Sequence, residues 1–180
     1  MHPEVQSPRL PIVGVMGSGQ HRHEDLAQPL GAWLASQGVH LLTGGGAGVM
    51  AAVSQAFHSA QDRRGLTIGV LPCRDDSPEP PPGYPNPWIE IPIATHLPRS
   101  AARDTGPDSR NPINVLSSEV IIALPGSQGT SSEVKLAHDY GRPIIAFVHQ
   151  RADIPGLPAE VQSTDNLERV RQFVRKKTRI

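Results

Sequence analysis

Apolar and polar residues alternate in blocks along this chain, and the blocks have the lengths of strands and helices. Short runs that are almost wholly apolar occur at Leu10–Met16, Val39–Thr43, Leu66–Pro72, Val120–Leu124 and Pro143–Val148. The segments between most of them carry apolar residues every three or four positions, the spacing of one helix face. Strands without polar positions are buried on both faces, as in parallel sheets. The pattern therefore predicts an α/β fold with a doubly wound, mostly parallel sheet and helices on both faces.

The alternation breaks between Cys73 and Arg110. The stretch SPEPPPGYPNP predicts a surface loop, because proline lacks the amide that a helix or a central strand requires. The segment Trp88–Leu97 is able to hold a short strand, and the residues after it look mobile. A loop of this length is typical either of a functional lid or of a solvated segment, so Arg99, Arg103 and Arg110 either close over an anionic ligand or face solvent.

Two helix starts carry the spacing of a capping box, in which an N-cap side chain and a residue three positions later bond to each other's backbone amides. Thr130 and Glu133 form one such pair, and Asp165 and Glu168 form the other. After Asp165, a basic amphipathic helix is expected to run to about Lys177.

Three of the predicted strands end in glycine-rich turns, and the carboxyl ends of parallel strands share the edge where such sheets bind ligands. Glycine allows the backbone to approach a ligand closely, and amides at a helix start bind phosphate. In chain order, the turns comprise residues Gly17–Gly19, Thr43–Met50 and Pro125–Glu133. The first turn alone could be merely a tight turn, and the third could cap its helix and bind a ligand at once. The turn residues expected to bind a phosphorylated ligand are Gly17, Ser18, Gly19, Gly44, Gly45, Gly46, Gly48, Val49, Met50, Pro125, Gly126, Ser127, Gly129, Thr130 and Glu133.

Composition narrows the function classes. The 180 residues include 17 basic and 17 acidic side chains and only 4% aromatic residues, which argues against nucleic-acid binding. No apolar run reaches the roughly 20 residues of a membrane span, and the amino-terminal segment lacks a signal-peptide core. The one cysteine, Cys73, rules out an internal disulfide and suits a reducing compartment. We expect a single domain over residues 1–180, in the cytoplasm and away from membranes.

Three further side chains near the glycine-rich turns are candidates for chemistry. His21 and His23 follow the first turn, but the sequence designates no third ligand for a metal, so solvated or phosphate-facing histidines are favoured and no metal is expected. Cys73 ends a strand and has no assignable histidine partner, so we expect a small buried apolar residue.

The motif TGGGAGVM (Thr43–Met50), followed far downstream by PGSQGTSSE (Pro125–Glu133), resembles the Lonely Guy (LOG) superfamily. The resemblance covers residues 12–148. It implies a Rossmann-like fold, a homodimer and a nucleotide-like or otherwise phosphorylated ligand. LOG enzymes hydrolyse the N-glycosidic bond of nucleoside 5′-monophosphates, using an arginine and a glutamate that correspond here to Arg110 and Glu133.

Three positions depart from the typical LOG enzyme. Ser127 replaces a glycine, Ser132 replaces a glutamate, and Asn111 stands where a lysine is usual. The segment SRNPINVLSSEVIIALPG, preceded by EIPIAT, is more similar to the molybdenum cofactor carrier branch of the superfamily. That branch binds a phosphorylated pterin without turning it over, and the resemblance places Arg110 and Asn111 among the ligand-binding residues.

Two functions follow from the resemblance. The favoured one is a binding protein for a nucleotide-like or pterin phosphate, with the molybdenum cofactor as its cargo. The alternative is a phosphoribohydrolase, in which Arg110 and Glu133 would be catalytic. A homodimer is expected in either case, with Trp33 and Phe57 as candidate exposed apolar residues at its interface.

Overall fold

A computed structural model describes residues 9–98 and 109–178 of the chain, so Arg99 and Arg103 lie outside the described residues. Within these ranges the strands and helices are, in order, β1 (Ile12–Met16), α1 (Glu24–Ala35), β2 (His40–Thr43), α2 (Val49–His58), β3 (Thr67–Cys73), β4 (Ile91–Pro98), α3 (Asn111–Ser117), β5 (Val120–Ala123), α4 (Gln128–Asp139), β6 (Ile144–Phe147), β7 (Gln162–Thr164) and α5 (Leu167–Thr178). A short 3₁₀ turn at Arg151–Asp153 lies between β6 and β7. None of the helices in these ranges has the length and apolarity needed to cross a bilayer.

The described strands form one seven-stranded sheet in the order β4-β3-β2-β1-β5-β6-β7, and every pairing is parallel. The prediction of a Rossmann-like, doubly wound fold is confirmed. Strand β1 pairs with β2 on one side and with β5 on the other. Val13 of β1 is in register with Leu41 of β2 and with Val120 of β5. The strand order reverses at this point, and ligands of doubly wound sheets bind beside such a reversal.

Helices cover both faces of the sheet. Successive side chains along each strand point to opposite faces, so β1 and β5 contribute apolar residues to both. On one face, Val15 and Ile122 pack with apolar residues of α1, α2 and α5. On the other, Met16 and Ile121 pack with Val115 of α3 and with residues of α4. The carboxyl edge of the central strands is thereby held between two packed layers.

Several local predictions were wrong. Helix α3 and strand β7 were not expected. The N-cap of α5 is Asn166 and not Asp165, so the cap lies one residue later than predicted. The Oδ1 atom of Asn166 accepts a hydrogen bond from the amide of Glu168 at 2.9 Å. Trp33 and Phe57 are only 7% and 0% exposed, so neither is available to a dimer interface.

The region between β3 and α3 followed its prediction in part. Residues 74–90 form a loop, and β4 occupies the place of the expected short strand, at one edge of the sheet. The proline residues are tolerated in β4 because an edge strand leaves one side of its backbone unpaired. Cys73 is buried at the end of β3, as expected of a small apolar residue.

Candidate functional site

An open cavity lies at the carboxyl edge of the sheet, beside the reversal between β1 and β5. Its volume is about 780 Å³, and it is open to solvent. The turn from β1 to α1 and the turn from β5 to α4 form most of its wall. Of the residues expected at a ligand site, those lining this cavity are Gly17, Ser18, Gly19, Met50, Arg110, Asn111, Pro125, Gly126, Ser127, Gly129, Thr130 and Glu133.

Ser18 links all three glycine-rich turns. Its amide donates to the carbonyl of Pro125 at 2.9 Å, and its own carbonyl accepts the amide of Val49 at 2.8 Å. Its hydroxyl oxygen accepts the amides of Gln20 at 3.1 Å and His21 at 2.9 Å. The turn after β1 is therefore held in place by bonds to the two neighbouring turns and by its own side chain.

The start of α4 opens into the cavity. The N-cap is Ser127 and its side chain makes no capping bond, so the predicted capping box of Thr130 and Glu133 is wrong. No hydrogen bond among the described residues uses the amides of Gln128, Gly129 or Thr130. A Cβ atom added at Gly129 would meet nothing within 4 Å. Free amides at the positive end of a helix dipole attract anions, so this is the part of the wall best suited to phosphate.

The second glycine-rich turn lies behind the cavity wall. Its first helical amide, that of Val49, is already donated to Ser18. Its glycines admit neighbouring groups at close range: a Cβ atom at Gly44 would lie 2.6 Å from Nη1 of Arg110, and one at Gly48 would lie 2.2 Å from the carbonyl oxygen of Ser18. The expected ligand-site residues that do not line the cavity are Gly44, Gly45, Gly46, Gly48 and Val49.

Arg110 is buried at the start of α3, with 6% of its surface exposed. Its Nη1 group donates to the backbone carbonyls of Gly44 and Val70. Its Cζ atom lies 5.4 Å from the ring centroid of Tyr84. The guanidinium thus joins β3, the turn after β2 and the loop before β4, while part of it lines the cavity.

Glu133 lies one turn into α4 and is also buried, with 8% of its surface exposed. Its Oε1 atom accepts a hydrogen bond from Nδ2 of Asn114 at 3.0 Å. Asn111 is 5% exposed and lies on the same helix as Asn114. Helix α3, which the sequence did not reveal, therefore supplies one cavity residue and one partner of a cavity carboxylate.

Six lining residues were not among those predicted at the site from the sequence: Gln20, His21, His23, Tyr84, Gln128 and Asp153. The sequence favours His21 and His23 as solvated or phosphate-facing residues, and their rings lie 6.1 Å apart in an edge-to-face arrangement. His23 has a positive φ of 43°, an uncommon conformation for a residue other than glycine. Tyr84 comes from the proline-rich loop, where no periodic signal exists to place it. Within the described ranges, no three His, Cys, Asp or Glu residues are grouped as a metal site would require.

An ion pair joins the start of α1 to the turn that follows β6. Nε2 of His149 lies 2.7 Å from Oδ2 of Asp25, and this hydrogen bond lowers the pKa of Asp25 and raises the pKa of His149. The stabilisation from His149 is complete below its ordinary pKa of 6.5 and is lost as the pH rises through its raised value. The stabilisation from Asp25 is present above its ordinary pKa of 3.8 and is lost as the pH falls through its lowered value.

We therefore expect Asp25→Asn to return the pKa of His149 towards its ordinary value, because the acceptor of its proton loses its charge. An NMR titration of the His149 imidazole measures the change. Asp165→Asn is the control, since Asp165 acts on His149 only through a weaker electrostatic attraction. An unchanged His149 midpoint in Asp25→Asn would show that the pair does not form in solution.

The fold and the cavity together define a doubly wound α/β protein with an open polar site at the reversal of its strand order. The chain belongs to the SLOG cluster4 family, whose model matches residues 10–176. This membership confirms the resemblance to the LOG superfamily.

Two proteins of known structure are similar to this chain over more than 90% of its length. The molybdenum cofactor binding protein of the phototrophic bacterium Rippkaea orientalis is 34% identical, with a TM-score of 0.75 over 94% of this chain and 98% of that one. The molybdenum cofactor carrier protein of Chlamydomonas reinhardtii is 31% identical, with a TM-score of 0.68 over 92% of this chain and 99% of that one. An uncharacterized protein of Archaeoglobus fulgidus is 31% identical over 141 residues, which are 77% of this chain and 81% of the relative.

Proposed function

We propose that this protein binds a phosphorylated pterin, with the molybdenum cofactor as its cargo, and holds it without turning it over. The observation that carries the proposal is the open start of α4 inside a cavity of about 780 Å³. The two solved relatives named for binding or carrying the molybdenum cofactor support the choice of ligand, because each covers more than 90% of the chain.

The phosphate of the ligand would lie against the amides of Gln128, Gly129 and Thr130. These groups have no acceptor among the described residues, and they point from the positive end of a 12-residue helix. Ser18 lines the same cavity, and its hydroxyl can still donate its own proton, since it only accepts in its two bonds to Gln20 and His21. The site thus offers several hydrogen-bond donors to an anion.

The position of Arg110 favours binding over catalysis. A phosphoribohydrolase of the LOG type would direct this guanidinium at the substrate or at Glu133. Here its Nη1 group donates to the carbonyls of Gly44 and Val70, so this end of the guanidinium stabilises the fold. Ser132, which stands where typical LOG enzymes carry a glutamate, is not part of the cavity wall.

The test is co-elution of the molybdenum cofactor with the purified protein in anaerobic gel filtration. Molybdenum measured by mass spectrometry and pterin measured by fluorescence after oxidation are expected in the protein peak in equal amounts. Excess inorganic phosphate should compete, since it occupies the helix terminus. If neither molybdenum nor pterin elutes with the protein, the proposal fails.

A parallel assay with AMP and a cytokinin monophosphate decides the catalytic alternative. We expect no release of free base. Robust release that disappears in Glu133→Ala would replace the binding protein with a hydrolase.

The proposal includes a homodimer, formed through the face of α3 and α4. Ile113 and Leu116 on α3 and Tyr140 at the end of α4 are large apolar residues with 36%, 48% and 47% of their surface exposed. Light scattering should give twice the chain mass of 19.3 kDa, and Leu116→Glu should return the mass of one chain. Leu66→Glu changes another exposed leucine and should leave the dimer intact. A wild-type particle of one chain mass at micromolar concentration would exclude the dimer.

A further inference from the structure

The proline-rich loop between β3 and β4 is fastened to the second glycine-rich turn by one buried side chain. Asn86 is 5% exposed. Its Nδ2 group donates to the carbonyl of Gly46 at 2.9 Å, and its backbone amide donates to the carbonyl of Gly45 at 2.8 Å. Its Oδ1 atom accepts the amide of Trp88 at 3.1 Å. This part of the loop is therefore held against the second glycine-rich turn.

Tyr84, two residues before Asn86, presents its half-buried ring to the cavity. The hydroxyl end of the ring packs on Gly46, where an added Cβ atom would lie 2.6 Å from Cζ of Tyr84. The guanidinium of Arg110 lies 5.4 Å from the ring centroid and is itself bonded to two backbone carbonyls. Both residues line the cavity, so this part of its wall combines an aromatic ring with a positive charge.

Such a wall suits a flat heteroaromatic ring, because both aromatic faces and guanidinium planes stack on electron-rich rings. The start of α4 lines the same cavity and suits an anion. A ligand consisting of a sugar phosphate alone would satisfy the helix start and leave Tyr84 and Arg110 without a stacking partner from the ligand. The cavity therefore has one part for a ring and one part for a phosphate.

We propose that Tyr84 is a specificity-determining residue, whose ring packs against the pterin ring of the ligand and selects it over ligands that carry only a phosphate. This inference rests on the proposed function, since it specifies how the same cavity recognises the second part of its ligand.

The experiment compares two phosphorylated probes, neopterin monophosphate and ribose 5-phosphate, on the wild type and on Tyr84→Leu. The Leu variant should bind neopterin monophosphate roughly tenfold more weakly, because it loses an aromatic stacking partner. Its affinity for ribose 5-phosphate should not change. Tyr84→Phe keeps the ring and should match the wild type. Trp88→Leu removes an aromatic residue of the same loop that does not line the cavity, and should also bind as the wild type does.

Pterin fluorescence follows the first probe, and competition with it follows the second. Equal weakening for both probes in Tyr84→Leu would mean that Tyr84 only supports Arg110 or the loop, and would overturn the inference while leaving the proposed function intact. No weakening for either probe would overturn it in the same way. If the wild type binds neither probe, the proposed function fails and this inference fails with it.

Discussion

Gly129→Asp should weaken binding of a phosphorylated ligand by roughly 10- to 100-fold, because a carboxylate would lie where the phosphate is expected and would repel it. Gly129 is the second residue of α4 and lines the cavity. A side chain fits there without contact, since a Cβ atom meets nothing within 4 Å. An aspartate in the first turn also favours the helix dipole, so the fold should be retained or slightly stabilised. Isothermal titration with neopterin monophosphate measures the effect.

Gly129→Asn is the matched control, because its side chain has nearly the same shape without the charge. We expect it to bind close to the wild type, and we expect added salt to reduce the difference between the two variants. Equal affinities of the Asp and Asn variants would place the phosphate elsewhere. The corresponding change at Gly45 would be uninformative, because that residue has a φ of +73° and an added Cβ atom would lie 2.4 Å from Leu71.

Arg110→Met should lower the free energy of unfolding by about 2 to 4 kcal/mol, because two buried backbone carbonyls lose their donor. The methionine retains an apolar stem of similar length, so the change reports mainly on the guanidinium. Its bonds to Gly44 and Val70 join segments that are 66 and 40 residues away in the chain. Urea unfolding followed by circular dichroism measures the loss, and ligand affinity should fall as the cavity wall loosens.

Arg142→Met provides the comparison, since Arg142 also donates to a backbone carbonyl, that of Leu116 at 2.8 Å, but in an exposed position. Water can replace that bond, so the expected loss is below about 1 kcal/mol. If both variants had the same urea midpoint, Arg110 would not be a structural anchor.

The strands and most helices were predictable from the sequence because their burial repeats locally. Strand β5, for example, is apolar and buried throughout, and helices such as α2 show a continuous apolar face. Helix α3 has no such pattern: it is seven residues long, with Val115 buried but Ile113 and Leu116 exposed. Its existence depends on contacts with α4 and β1, which no local period records.

The start of α4 shows why a motif in the sequence can be misread. Thr130 and Glu133 have the spacing of a capping box, yet the observed N-cap is Ser127, three residues before the predicted one. Thr130 is 3% exposed and packs against Gly126, where an added Cβ atom would lie 2.1 Å from its hydroxyl oxygen. Glu133 is instead turned towards Asn114. The resemblance to a known family located this turn, but the packing decided what its residues contact.

The sequence by itself determined the α/β class, the order of most elements and the sheet edge where the glycine-rich turns meet, because these depend on periodic burial and on backbone preferences of neighbouring residues. Only the tertiary structure decided that the turn after β2 lies behind the cavity while the start of α4 opens into it. It also decided that Tyr84 lines the cavity. Asn86, two residues later in the loop, bonds to Gly46, which is 40 residues away in the chain, and this contact fixes the loop in place. Such long-range contacts form when the sheet assembles, and no local pattern encodes them.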